Sequence, residues 1–449
     1  MTPVLLYNAI IINESRRFKG YLSIDSDGII SHIGEGDVPA EAMQTFFGEK
    51  HDLHERWLLP GAIDSHVHFR EPGLTHKADI HSESRAAVAG GVTSYMEMPN
   101  TNPATVSIEA LRQKAETAAA HSLANYSFYI GATNNNADAL KAADYSAVPG
   151  IKVFMGSSTG GMLVDGNDAL DEIFSLPELI AVHCEDEGII RSNVAKIREL
   201  YPQGAVPIEW HPEIRPALAC YSSSRRAVDY ALRHNSRLHI LHITTAEEVA
   251  LLRETPDNIS GEACVAHLLF CDEDYASLGT RIKCNPSVKS RIHRDALRKA
   301  VADGTISTIS TDHAPHALDE KQGDALTAPS GMPMIQFSLT AMLDLASRGV
   351  FTPERVVEAM CHRQADLYHV EKRGYIRPGY HADIVEIDPM AETHVNAKSV
   401  ISKCGWSPLE GRTLRTRVLR TWVNGQCVYS AQEGILDVSS PARPLVFYK

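Results

Sequence analysis

The 449-residue chain has no pair of cysteines spaced CxxC, no apolar run long enough to span a bilayer and no basic block. Each absence excludes a class of function. The eight cysteines are scattered, which argues against a zinc ribbon or a dithiol redox site and suits reduced thiols that fill core positions. A membrane-spanning helix needs about 20 consecutive apolar residues, and none is present. A net charge of −13 makes a poor ligand for nucleic acid. The opening MTPVLLYNAIII has neither a basic n-region nor a small-residue cleavage site, so no secretory leader is expected and a cytoplasmic chain is. No repeat at solenoid spacing and no low-complexity tract interrupts the chain. What remains is a core-forming composition, 44% hydrophobic and 22% charged, in a chain of a length that suits a barrel with an appendage. The 21 histidines are the compositional outlier, and several stand at the ends of apolar runs.

The pattern along the chain changes twice. Residues 1–57 read as short strands and turns (LLYNAIII, YLSID, GIISHIG), punctuated by SDG. From residue 58 to 377, eight apolar runs alternate with Ala-, Glu- and Arg-rich helical stretches. The runs are GAIDSHVH, TSYMEMPN, NYSFYIGAT, GIKVFM, LIAVHCE, LHILHIT, ISGEACVAH and TISTISTDH. Helices are expected at SESRAAVAGG, SIEALRQKAETAAA, RRAVDYALRHN and TAEEVALLRE. Such alternation predicts right-handed βαβ units, and eight of them predict an α/β fold closed as a (β/α)8 TIM barrel. From residue 378 to 449 the helical pattern stops, and RTWVNGQCVYS carries a two-residue hairpin signal at NG. The β-rich ends are expected to pair into one small β-sandwich domain beside the barrel.

In a barrel of this kind the chemistry gathers at the C-terminal ends of the strands. In GAIDSHVHFR, His66 and His68 share a strand face because side chains alternate. Two close imidazoles on one face suit a metal ion; a pair of hydrogen-bonded core histidines is the alternative. The other strand ends contribute Asn100, Lys152, His183, His242 and Asp312. Singly, His183 and His242 read as core histidines, and Asp312 as a cap for the next helix. Lys152 sits among Ile, Val and Phe, where an ordinary lysine does not belong. Together, on successive strand ends, they read as one metal site. A neutral buried amine adds carbon dioxide to become a carbamate, an anion able to bridge two metals. His66, His68 and Asp312 then suit one ion, and His183 and His242 the other. Imidazole and oxygen donors without thiolate fit two Zn2+ ions held for catalysis. Asp312 is the candidate acid/base for a water activated between them. The GSSTGG stretch after Lys152 reads equally as a lid or a plain solvent loop, and it lacks the GK[ST] ending of a phosphate loop.

HVHFREPG, MPNT, IKVFMGSS, VHCED, LHIT, KCNPSV and STDHAPH, in this order, resemble the dihydroorotases of the amidohydrolase superfamily, over residues 50 to 390. The resemblance implies zinc-dependent interconversion of L-dihydroorotate and N-carbamoyl-L-aspartate in de novo pyrimidine synthesis. It also implies a role for each matching residue. His66, His68, His183, His242 and Asp312 match metal ligands, Asp312 also the catalytic acid/base, and Lys152 the carbamylated lysine that bridges the two zinc ions. Arg70, Asn100 and His316 match the groups that hold the substrate carboxylate, and Asn285 an asparagine near the substrate ring. A homodimer is a further implication. The chain departs from the family at CVAHLL, where Ala266 and His267 replace two adjacent histidines, and His267 is left out of the expected metal set. Elementary chemistry agrees with the clamp, since an α-carboxylate calls for a bidentate cation and neutral donors. The alternative for Arg70 is a structural salt bridge to Glu71 or Asp79. Rival functions are a hydantoinase, dihydropyrimidinase or allantoinase activity on the same metals, and a non-catalytic partner subunit.

Overall fold

The structure, a computed structural model, describes residues 1–156, 161–438 and 441–448. The central four residues of GSSTGG, and with them the choice between lid and solvent loop, lie outside the described residues. All eight expected barrel strands form. They are Ala62–Val67, Val92–Glu97, Asn125–Phe128 with its continuation Ile130–Gly131, Ile151–Phe154, Ile180–His183, Leu238–Ile240, Ile259–Cys264 and Thr308–Ser310. Each pairs in parallel with its sequence neighbour. The last strand meets the first, where Ser65 Oγ lies 2.9 Å from Ser310 Oγ and the His68 N–H donates to His313 O at 2.7 Å. The sheet is therefore closed.

The two-residue period divides these strands between an outer and an inner layer. Ile180 and Val182 join the large cluster that also holds Val228 and Ala231 of the surrounding helix Ala217–His234. Ala181, between them, belongs to a separate cluster with Ile63, Met96 and Tyr129. Lys152 is in register with Ala181, and Phe154 with His183. The inner face is thus apolar low in the barrel and turns polar where the strands end. The four expected helices form at Ile80–Ala89, Ile108–His121, Ala217–His234 and Ala246–Leu252. Ser107 and Thr245 cap two of them through their side-chain oxygens, and Asn235 ends a third in the left-handed conformation.

The chain ends do pair with each other. Ile384–Asp388 lies antiparallel to Trp57–Pro60 and joins N-terminal strands to C-terminal ones in one nine-stranded sheet. Its own core includes Leu6, Ile11, Leu22, Leu58, Ile384 and Trp422. Arg417–Val423 and Gln426–Ser430 form the expected hairpin, with Asn424 at φ 48° and Gly425 at φ 82°, the left-handed pair that such a turn requires. All eight cysteines are free thiols. Among the described residues, no helix is long and apolar enough to cross a membrane.

Candidate active site

The barrel mouth opens into a cavity of about 560 Å3, and all ten residues singled out from the sequence line it. Three of them leave their strands through a left-handed backbone, Arg70 at φ 71°, His242 at φ 39° and Asp312 at φ 48°. Such conformations cost non-glycine residues about 1–3 kcal/mol each and persist only where the surroundings enforce them. Here they turn a side chain back over the barrel at the end of its strand.

His66, His68 and Asp312 form one group. Asp312 Oδ1 lies 3.3 Å from His66 Nε2 and 3.0 Å from His68 Nε2. The outer nitrogens are already engaged. His66 Nδ1 donates to Glu262 Oε1 at 2.6 Å, and His68 Nδ1 donates to Asn100 Oδ1 at 2.8 Å. In its neutral form each ring keeps the inner lone pair for a cation, and in its protonated form it pairs with the Asp312 carboxylate. Donors around a tetrahedral zinc with bonds of about 2.0–2.1 Å sit about 3.4 Å apart, close to the spacing seen. Burial holds the His68 imidazole down at about 4 despite Asp312, so it is neutral and able to ligate. Burial works against the Asp312 charge, but His66 and His68 hold its carboxyl down at about 2. Glu262 and Cys264 also flank His66. Burial pushes the Cys264 thiol well up, which keeps it protonated and a poor ligand.

His183 and His242 form a second group. His183 Nε2 donates to Glu185 Oε2 at 3.0 Å, which leaves the Nδ1 lone pair facing His242 Nε2 at 2.8 Å. Arg215 Nη1 donates to the same Glu185 oxygen at 2.6 Å. Burial opposes the Glu185 charge, but Arg215 and His183 hold the carboxyl down at about 2. Burial also lowers both imidazoles, His242 well below its ordinary value, with His183 and His66 adding to the effect there. Lys152 is 1% exposed, and its Nζ stands 4.5 Å over the Phe154 ring. Burial pushes its amine down to about 7, against the pull of Asp312 and Glu262, so much of it is neutral at physiological pH.

Arg70, Asn100, His316 and Asn285 occupy another part of the wall. Arg70 Nε donates to Pro315 O at 2.9 Å, and Nη2 lies 3.2 Å from His316 Nε2. Neither salt bridge considered for Arg70 forms. Glu71 accepts from the Ile80 N–H, and Asp79 pairs with Lys403. Lys77 Nζ donates to His316 Nδ1 at 3.1 Å, so the ring proton sits on Nε2 and goes to Ser330 O at 3.0 Å. In that tautomer Arg70 Nη2 finds no lone pair on His316, and among the described residues no other acceptor takes its N–H. Burial, with Arg70, Lys77 and Lys321 nearby, holds the His316 imidazole down at about 2, so it is neutral.

The sequence model of the Amidohydrolase family matches residues 57–428. The chain belongs to the amidohydrolase family. This amidohydrolase is 36% identical over 357 residues to a dihydroorotase of Halobacterium salinarum, covering 79% of this chain and 82% of the relative. It is 32% identical over 429 residues to an allantoinase of Rubrobacter xylanophilus, covering 93% and 92%. Among solved structures, the L-hydantoinase (dihydropyrimidinase) from Arthrobacter aurescens superposes with a TM-score of 0.92 at 24% identity, over 99% of this chain and 100% of that one, a likeness that shows the fold. Family and relatives together make the chain a hydrolase acting on cyclic amides.

Four residues that matter to this amidohydrolase escaped the reading of its sequence. Glu262 carried a signal, a carboxylate inside the apolar strand ISGEAC. Glu185 stood beside His183 in VHCED without a pattern to mark it. Arg215 and Lys77 lie in stretches with no regular period. His267, left out of the metal set, donates through Nε2 to Pro286 O at 3.0 Å, which is a structural bond. Asp312 caps no helix among the described residues; its carboxylate faces the two histidines.

Proposed function

We propose that this amidohydrolase is a dihydroorotase that hydrolyses L-dihydroorotate reversibly to N-carbamoyl-L-aspartate with two zinc ions, in de novo pyrimidine synthesis. The observation that carries the reading is Arg70. Its buried guanidinium, with Nη2 3.2 Å from His316 Nε2, shares one cavity with Asn100, His316 and the metal-type residues. A cyclic amide that carries a carboxylate needs both halves of such a cavity; hydantoin and allantoin need only the metal half. The dihydroorotase of Halobacterium salinarum points the same way.

His66, His68 and Asp312 would hold one zinc ion, and His183 and His242 the other. Lys152, as its carbamate, would lie between them. Its neutral amine adds carbon dioxide, forms an N–C bond and loses one proton, and the charge goes from 0 to −1. When bound, the ions supply a water acidified toward neutral pH and polarise the ring amide carbonyl. Arg70 and Asn100 hold the substrate carboxylate with the neutral His316 beside them, and this orients the ring. Asp312 accepts the proton of the attacking water and passes it to the departing ring nitrogen as the amide bond breaks. Ring closure runs the same steps backward. It consumes one proton as a carboxylate oxygen leaves in water, so lower pH favours it.

Purified, zinc-supplemented protein is expected to consume L-dihydroorotate rapidly, followed by its ring-amide absorbance, with hydantoin and allantoin in parallel left untouched. Turnover of either rival alone would assign the cavity to that substrate. Arg70→Met is expected to raise the KM for dihydroorotate by about 100-fold or more, as the loss of charge-assisted hydrogen bonds worth about 1.5–3 kcal/mol each requires. An unchanged KM would remove Arg70 from the clamp. A separate expectation concerns the second ion. Glu185→Gln keeps the shape but loses the charge that orients His183, and should weaken that ion alone by roughly 10–100-fold in a zinc titration. Equal loss of both ions would contradict the division into two groups.

A further inference from the structure

Lys321 is 2% exposed, and the charged side chains nearest to it in effect are other cations, Lys283 and Arg70. A lysine so placed must find its stabilisation elsewhere. Burial lowers its amine to about 7, and Nζ lies within hydrogen-bond reach of three backbone carbonyls, Lys283 O at 3.2 Å, Pro329 O at 2.7 Å and Gly331 O at 2.9 Å, which the protonated form meets with its three N–H donors. The amino group thereby ties two separate segments together. One runs through Lys283 to Asn285. The other is the irregular strap 328–331, which no helix or strand supports. Lys283 adds to the tie, since its Nζ donates to Ala328 O and its carbonyl accepts from the Gly331 N–H at 2.8 Å.

The strap forms a wall of the cavity, where Pro329, Ser330 and Gly331 all face the opening. Ser330 O accepts from His316, and Ser330 Oγ donates to Asn285 Oδ1 at 3.0 Å. Gly331, at φ 133°, passes so close to the segment after Asp312 that a Cβ there would stand 2.5 Å from Ala314 O. The strap therefore has little room in which to sit differently, and Lys321 itself does not line the cavity.

We propose that Lys321 is a positioning residue, which sets the substrate affinity of the cavity by holding the 329–331 strap against His316 and Asn285. Its expected effect on KM rests on the dihydroorotate reading; the tie itself does not.

The test compares the full-length, zinc-loaded wild type with Lys321→Met, which keeps the length of the stem and removes all three donors. Amide hydrogen exchange in the strap is expected to rise at least about tenfold in the variant, the scale on which loss of hydrogen bonds to a charged group acts. The KM for L-dihydroorotate should rise about tenfold, with kcat within about threefold and zinc content unchanged. A lower melting temperature with exchange in the strap and KM both unmoved would reduce Lys321 to a generic core residue and overturn the proposal. If Lys321→Met is not recovered folded, Lys321→Arg decides on the same readouts. A planar fork cannot meet three carbonyls around one nitrogen, so exchange and KM should again rise, and unchanged values overturn the proposal. A wild type inactive on dihydroorotate would refute the substrate reading, while exchange in the strap would still decide the tie.

Discussion

Asp312→Asn is expected to bind zinc nearly as the wild type does and to lose about 100- to 10,000-fold of turnover, the contribution of a well-placed acid/base. The carboxylate stands within 3.3 Å of His66 Nε2 and 3.0 Å of His68 Nε2, and those imidazoles hold it ionised although it is buried. Asparagine keeps the size and one carbonyl oxygen, enough to sit among the same donors. It cannot take a proton from water or return one to a departing nitrogen. Zinc content measured beside kcat separates the two roles of the residue. Normal metal with little turnover supports the acid/base assignment, and a near-wild-type rate refutes it. Loss of metal together with activity would show that Asp312 serves chiefly as a ligand.

Lys152→Ala is expected to lose both zinc and activity, and to recover part of each when short carboxylic acids are added. Side chains that merely orient metal ligands typically change affinity or rate by about 10- to 100-fold, so removal of a bridging ligand should cost at least the upper end of that range. The argument is electrostatic. An ammonium at this place would repel two dications, and burial has already pushed the amine down to about 7, where a neutral fraction can react. With 1% of the side chain exposed, bulk water cannot stand in for a missing anion. A small carboxylate can enter the space left by the side chain and offer two oxygens. An active, fully metallated variant would exclude a carbamate bridge.

Much of this molecule is legible in the order of its residues. The eight barrel strands follow from apolar runs separated by helical periods, and the hairpin follows from Asn424–Gly425. His66 and His68 share a face because strands alternate, and Lys152 stands out because lysine does not belong among Ile, Val and Phe. These are local rules, carried by period and composition, and they need no knowledge of what lies across the barrel. Convergence of the strand ends follows once the barrel is accepted, since closure brings all of them to one rim.

Partnership across the barrel is a different matter. Residue order is enough to read the fold, the place of the cavity and the residue types around it. Packing in three dimensions is what makes Glu262 orient His66 from 196 positions away, Arg215 hold Glu185 beneath His183, and Lys77 set the proton on His316. It also decided that Arg70 spends itself on neither Glu71 nor Asp79, and that Lys321 faces three carbonyls instead of solvent. The reason is physical. A hydrogen bond between distant segments depends on how the loops pack to within a few tenths of an ångström, and no periodicity in the chain encodes that distance.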